Sequence, residues 1–222
     1  ELKDGIKLYG NCILKSISGG YDGKQQYRFK SLDDIDEKLD FSKEYVLEKF
    51  LNFKREISVA ATRFKDGKIS IYEPSENKHE KGILRESKIP ADISKGVLKK
   101  SQDIAVKFAE KLDYVGTLNI EFMVDQKENL YFLEWCNRCH NGMWHTVNSY
   151  KVDQFMNHVR AILGLEFIEN KKISNAIMTN ILGDEINEFR NKKFKENEFF
   201  FDYLKKEIRP GRKMGHLTIL KD

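Results

Sequence analysis

Two apolar segments, 118–124 and 130–135, flank the polar run 125–129, and this pairing constrains the fold more than any other stretch of the chain. Both are of strand length and rich in Leu, Ile, Phe, Tyr and Val, so they predict an antiparallel hairpin. A turn centred on Lys127 and Glu128 sets Glu121 directly opposite Glu134 on one sheet face. Like charges in that position cost a few tenths to ~1 kcal/mol when exposed and more when desolvated. A hard divalent cation between the carboxylates removes the repulsion, and Mg²⁺ held by one or two carboxylates plus substrate phosphates is a common arrangement in phosphoryl transfer. The competing arrangement is a register slip that turns one glutamate to water.

Elsewhere the pattern predicts a strand over 11–17 running into a glycine-rich loop, a partner strand over 26–29, and a short helix over 32–38 opened by Ser31. Strands follow over 45–50, 56–63 and 69–72. In the second of these Ile57, Val59 and Ala61 alternate with Glu56, Ser58 and Thr62, which predicts one wet or functional face. Residues 74–90 read as a long polar connection. Ser94 caps a helix to about Leu112, a second helix covers 152–163 and stops at Gly164, and two or three short strands follow from Asn175.

The 222 residues, 40% hydrophobic and 33% charged, suit one large or two small globular domains. No apolar run reaches the ~20 residues of a membrane span, and residues 1–7 lack a signal-peptide layout. Three cysteines argue against a disulfide scaffold, so a cytoplasmic setting is expected. A net charge of +4 does not by itself imply nucleic acid. The chain opens with Glu1 and is expected to be a fragment of something longer.

Three further clusters can carry chemistry. Glycines in the loop 19–26 allow backbone N–H groups to converge on a phosphate, with Lys15 in reach, although the spacing is not that of a Walker loop. Cys136-Asn137-Arg138-Cys139-His140 spells CxxCH, which suggests c-type haem, or zinc with His145; the absence of an export signal and the crowding of the ligands favour plain buried thiols. Lys206, Arg209, Arg212 and Lys213 form a basic knot around Pro210-Gly211 that can grip a phosphate. It has no interleaved aromatics, which argues against single-stranded nucleic acid.

The strings CILK at 12–15, GYDGK at 20–24, ENKHEKGIL at 76–84 and GTLNIE at 116–121 form a larger pattern with Arg138, His140-Asn141, Gln154-Phe155 and RPGRKMGH at 209–216. This pattern resembles the ATP-grasp superfamily, and within it the family of N5-carboxyaminoimidazole ribonucleotide synthetases. The resemblance implies an α+β ATP-grasp fold with mostly antiparallel sheets and flanking helices, lacking the family's N-terminal domain. It divides the chain into a partial lid subdomain (1–47), a large subdomain (48–170) and a C-terminal segment with basic phosphate-binding strands (171–222).

By the same resemblance, Lys15, Gly20, Tyr21, Asp22, Gly23, Lys24 and Gln26 would hold the ATP phosphates, and Glu48, Lys49, Phe50 and Leu51 would lie beside adenine. Glu56 would bond the ribose and His79 would approach the nucleotide. Glu121 and Glu134 match Mg²⁺ ligands, and Arg138, His140 and Asn141 match the loop that meets bicarbonate and aminoimidazole ribonucleotide. Lys206, Arg212 and Lys213 would bind the substrate's phosphate. The implied activity is an ADP-forming carbon–nitrogen ligase of purine biosynthesis that carboxylates 5-aminoimidazole ribonucleotide with bicarbonate through carboxyphosphate. The family is often dimeric, so a homodimer is expected, with neither nucleic acid nor membrane as partner. Rival readings are another ATP-grasp ligase, such as a formate-dependent glycinamide ribonucleotide transformylase, and a degenerate nucleotide-binding module. Departures from the family pattern include Gln25 for a loop glycine, Leu133 for the asparagine before the metal glutamate, Asn137 and Cys139 for prolines, and the order Gly142-Met143-Trp144-His145.

Overall fold

Cys12, Leu14 and Phe29 are buried on two short strands and build the core of the first of two units into which the chain divides. The first comprises Glu1–Asn52 with Lys81–Ile83, the second Phe53–Glu80 with Leu84–Asp222. The computed structural model describes residues 1–18, 26–35, 39–40 and 42–221.

In the first unit β1 (Cys12–Ser16) lies between β2 (Gln26–Phe29) and β3 (Tyr45–Lys49), antiparallel to both. A helix that the sequence pattern does not signal, α1 (Leu2–Tyr9), packs on β3. Its Gly5 permits the approach, since a Cβ there would run into Leu47 Cδ2. The helix expected over 32–38 is only a 3-10 turn, Leu32–Asp34, within the described residues. The Asp34 carboxylate accepts from the N–H groups of Lys30 and Ser31, and Ile35 then turns extended, which ends the turn.

The second unit contains β4 (Phe53–Arg63), β5 (Ile69–Ile71), β6 (Ser75–Glu80), β7 (Ile83–Ile89), α2 (Lys95–Lys111), β8 (Gly116–Asp125) and β9 (Leu130–Cys136). It continues with α3 (Thr146–Ser149), α4 (Gln154–Leu163), β10 (Asn175–Leu182), α5 (Ile186–Arg190), β11 (Glu198–Asp202) and β12 (Lys213–Lys221). One sheet runs β11-β12-β10-β7-β6-β4-β8-β9, with β5 also paired to β4. The pairings of β4 with β5, β6 and β8, and of β10 with β7 and β12, are antiparallel. Among the described residues no helix is long and apolar enough to cross a membrane.

The stretch 74–90 is not a loop. It forms β6 and β7, joined at Lys81 and Gly82, both with positive φ (51° and 78°). A two-residue turn of that shape suits the twist of a hairpin. Its strands escape the hydrophobic pattern because β6 buries Ser75 and Asn77 instead of aliphatic side chains.

On the central strands Ile57, Val59 and Ala61 of β4 and Leu118, Ile120, Phe122 and Val124 of β8 pack against α2, whose N-terminus Ser94 caps. The opposite face, expected to be wet or functional, is covered. Ser58, Thr62, Asn119 and Glu121 are all at most 6% exposed there, beneath the segment 140–146 and α4. Thr62 Oγ1 meets Thr117 Oγ1 at 2.7 Å across the strands. A buried polar face of this kind holds side chains in fixed hydrogen-bonded positions, which a site requires.

Candidate active site

The hairpin of β8 and β9 does set Glu121 opposite Glu134, but not through a uniform register. Next to the turn Phe122 pairs with Phe132 and Val124 with Leu130, one residue out of step with the expected pairing. A bulge at Leu133 absorbs the extra residue, so that Glu121, Ile120 and Asn119 face Glu134, Trp135 and Cys136. Without it Glu134 would point to the other side of the sheet, because strand side chains alternate. The turn holds itself: Asp125 accepts from the N–H groups of Lys127 and Asn129, and Glu128 takes a positive φ of 61°.

Glu121 is 6% exposed, whereas Glu134 is exposed. Ser58, its register partner on β4, donates to Oε1 at 2.8 Å, and Asn77 on β6 donates to Ser58 Oγ at 2.6 Å. Burial pushes the Glu121 carboxyl up to about 7; the charges of Glu134 and Glu56 add to this, while the Ser58 bond and His79 oppose it. Two facing carboxylates, one of them buried, supply hard oxygen donors, so they fit a Mg²⁺ ion in donor chemistry. Among the described residues no group of three or more His, Cys, Asp or Glu forms a metal-binding cluster.

Glu56 lies two residues before Ser58 on β4, and its Oε2 pairs with His79 Nδ1 of β6. Burial disfavours the imidazolium, but the hydrogen bond and charge of Glu56, with the charge of Glu121, outweigh it and raise the His79 pKa. Lys213, at the start of β12, opposes that protonation and also acts on His140, so its charge is felt on both sides of this cluster.

The segment after β9 is pinned to the sheet at several points. Asn119 Nδ2 donates to Arg138 O at 3.0 Å, and Gln154, at the start of α4, bonds the peptide groups of His140. The His140 ring lies with Nδ1 3.3 Å from Glu121 Oε1 and accepts from Gly142 N–H. Burial, aided by the charges of Arg138, Lys213 and His79, holds His140 down at about 4, so it is neutral near pH 7. Asn141 has both amide atoms buried without a hydrogen-bond partner among the described residues, and Arg138 is exposed, with Nη1 on Cys139 O. Glu56, His79, Glu121, Glu134, Arg138, His140, Asn141 and Lys213 thus belong to one neighbourhood.

Other expected residues are placed differently. Arg212 donates to Glu207 O at 2.9 Å and Lys206 is exposed. Lys205, which the sequence does not single out, is half-buried, donates to Lys213 O, and has its pKa lowered by burial and by Arg212 and Lys213. The thiols of Cys136 and Cys139 donate to the carbonyls of Arg138 and Gln154, burial pushes Cys139 up to about 12, and His145 pairs with Ser149 Oγ. Ser58, Asn77, Asn119 and Gln154 were also not anticipated. The first three share sheet faces with Glu56, His79 and Glu121 at strand spacing, which is the signal that could have found them.

In the first unit, Lys15 and Glu48 form an ion pair at 2.6 Å between β1 and β3, and Gln26 lies opposite Lys15 in register. Phe50 stacks under the Arg28 guanidinium at 3.7 Å, Lys49 ends β3 and Leu51 follows. Gly20, Tyr21, Asp22, Gly23 and Lys24 lie outside the described residues.

Residues 3–155 match the family model of the ATP-grasp domain. The chain belongs to the ATP-grasp family. Residues 176–222 match the phosphoribosylaminoimidazole carboxylase C-terminal domain. This ATP-grasp chain is 38% identical over 218 residues to N5-carboxyaminoimidazole ribonucleotide synthase of Brucella melitensis, covering 96% of the chain and 60% of that protein. It is 35% identical to the Bacillus subtilis protein of the same name, covering 100% and 59%. Among solved structures, the ADP complex of an N5-carboxyaminoimidazole ribonucleotide synthetase superposes with a TM-score of 0.93 at 35% identity, covering 100% of the chain and 60% of that one. The Aspergillus clavatus synthase bound to ADP and 5-aminoimidazole ribonucleotide superposes at 0.89 with 27% identity, covering 99% and 60%. The chain therefore spans about 60% of the length of the relatives it matches.

Proposed function

We propose that the protein containing this chain is an ATP-dependent carboxylase that converts 5-aminoimidazole ribonucleotide and bicarbonate to the N5-carboxy product, forming ADP. The observation that carries the reading is the facing of Glu121 and Glu134 beside the pinned segment of Arg138, His140 and Asn141. The names and bound nucleotides of the relatives point the same way.

In this reading a bicarbonate oxygen attacks the γ-phosphorus of ATP, the bond to ADP breaks, and carboxyphosphate forms. The exocyclic amine then attacks its carbon, inorganic phosphate leaves, and the amine loses a proton. Glu121 and Glu134 would hold Mg²⁺, which when bound supplies charge neutralisation for the transferring phosphoryl group. Arg138 presents a guanidinium to the anionic intermediate, and its backbone is fixed by Asn119 so that the side chain starts from a set point. Neutral His140 and the amide of Asn141 line the same place without adding charge. Glu56 accepts the ribose hydroxyls, with His79 beside it, and the basic residues Lys206, Arg212 and Lys213 take the substrate's phosphate. Lys15 and the glycine loop hold the phosphates of ATP, and segment 48–51 lies beside adenine. The protein works in the cytoplasm, as a homodimer.

ADP release by the full-length protein, with each component omitted in turn, tests the proposal. Turnover requires ATP, Mg²⁺, bicarbonate and the ribonucleotide together. Turnover with another amine moves the protein to a neighbouring ligase, and nucleotide binding without turnover makes it a binding module.

A further inference from the structure

Among the described residues, the side-chain contacts to the Glu121 carboxylate gather on one of its two oxygens. Ser58 Oγ donates to Oε1 at 2.8 Å, Asn77 Nδ2 lies 3.4 Å from the same atom, and His140 Nδ1 stands 3.3 Å from it. None of these three contacts falls on Oε2. The arrangement is rigid: Ser58 is fully buried, Asn77 7% exposed, and Asn77 grips the Ser58 hydroxyl at 2.6 Å. Gly142 closes over both, so near that a Cβ there would stand 2.5 Å from Ser58 Oγ and 3.0 Å from Asn77 Nδ2. The Gly142 carbonyl is in turn held by the hydroxyls of Ser75 and Ser87.

A carboxylate held in this way offers a cation one oxygen. That matters for selectivity, because Mg²⁺ demands near-octahedral geometry at about 2.0–2.1 Å, whereas Ca²⁺ takes about 6–8 oxygens and accepts bidentate carboxylates at about 2.3–2.6 Å. We infer that Ser58, braced by Asn77, is a specificity-determining positioning residue: by holding Oε1 it confines Glu121 to one-oxygen ligation through Oε2 and so favours Mg²⁺ over Ca²⁺. The inference rests on the proposed role of Glu121 as a cation ligand. Loss of the hydroxyl frees Oε1, allows the carboxylate to rotate and bind through both oxygens, and raises the relative affinity for the larger ion.

Calorimetric titration of ADP into the full chain, with Mg²⁺ or Ca²⁺ as the sole divalent ion, tests this. The unaltered chain binds more tightly with Mg²⁺. In Ser58→Ala the ratio of Mg²⁺-supported to Ca²⁺-supported affinity falls about tenfold, the scale on which groups supporting a metal ligand act. Asn77→Ala shifts the ratio in the same direction by a smaller factor and carries the test if the melting curve of Ser58→Ala shows an unfolded protein. A ratio unchanged within about twofold, in folded variants whose ADP binding still needs a cation, overturns this inference alone. ADP binding by the unaltered chain with no cation dependence overturns the proposed function, and this inference with it.

Discussion

Gln154 holds the backbone of His140 with both ends of its side-chain amide: Oε1 accepts from the His140 N–H at 3.0 Å, and Nε2 donates to the His140 carbonyl at 2.8 Å. Gln154 is fully buried, and its own carbonyl accepts from Thr117 Oγ1. The helix α4 thereby fixes the segment that carries Arg138 and His140 against β8.

Replacement by leucine leaves a buried N–H and a buried C=O without partners, each worth about 1–3 kcal/mol. Gln154→Leu is expected to lower unfolding stability by roughly 2–6 kcal/mol, read from urea denaturation. Gln154→Glu keeps the acceptor for the N–H but loses the donor to the carbonyl, and should fall between the two. A leucine variant as stable as the unaltered chain would show that the clamp contributes nothing.

Gly142 has no room for a side chain. Its negative φ region is open to any residue, so the objection to alanine is contact with Ser58 and Asn77 and not backbone strain. Gly142→Ala forces the segment away from the sheet and is expected to cost about 1–3 kcal/mol. The same displacement loosens the Ser58 hold on Glu121. Thermal melts report the first effect and Mg²⁺-dependent ADP affinity the second, and both should decline together.

Buried histidines set a pH limit on the fold. His216 sits among Trp144, Phe201 and Tyr203, with Tyr203 OH at 3.0 Å from Nδ1, and burial lowers its pKa to about 4. His145 is fully buried, and burial, with the charge of Lys172 adding, lowers it to about 3. Both pKa values lie below that of an unfolded histidine, ~6.5, so the unfolded chain binds protons that the folded chain refuses. This stability is present above pH ~6.5 and is lost as pH falls toward the folded values, by an amount on the order of 3–5 kcal/mol per residue. In an NMR titration the rings of His145 and His216 stay neutral at pH 5, while His79, raised by Glu56, is still protonated above ~6.5. His216→Phe should flatten the fall in stability between pH 7 and 5.

Much of the fold is legible because its strands are short runs rich in aliphatic and aromatic residues. β8, β9, β2 and the capped helix α2 emerge from that pattern and from Ser94. β6 and β7 do not, because the buried positions of β6 are Ser75 and Asn77, chosen for the polar face and not for the core. α1 is hidden by its length of eight residues and by Gly5, whose reason is the approach of Leu47. The facing of Glu121 and Glu134 is legible from a turn centred on Lys127 and Glu128, but the register beside that turn is not, because the bulge at Leu133 shifts it and nothing in the order Phe132-Leu133-Glu134 announces a bulge. Gln154 was invisible as a clamp, since a glutamine in the first turn of a helix more often faces water.

The facing carboxylates also set stability against function. With no cation present, the exposed Glu134 repels a buried neighbour that burial has already made hard to ionise. Glu134→Gln removes that repulsion and keeps the shape of the side chain. The cation-free variant should therefore be more stable than the unaltered chain by a few tenths to ~1 kcal/mol. The same change deletes one of two anionic oxygen donors, so affinity for ADP in the presence of Mg²⁺ should fall by about tenfold or more, while any affinity without Mg²⁺ changes little. Adding Mg²⁺ and ADP should then raise the melting temperature of the unaltered chain more than that of the variant, since a ligand's stabilisation grows with the logarithm of its concentration relative to the dissociation constant. Paired melts with and without Mg²⁺ and ADP supply both readings. If the variant melts lower than the unaltered chain in the cation-free state, the two glutamates do not repel each other across the strands. If it gains as much from Mg²⁺ and ADP, Glu134 does not hold the ion.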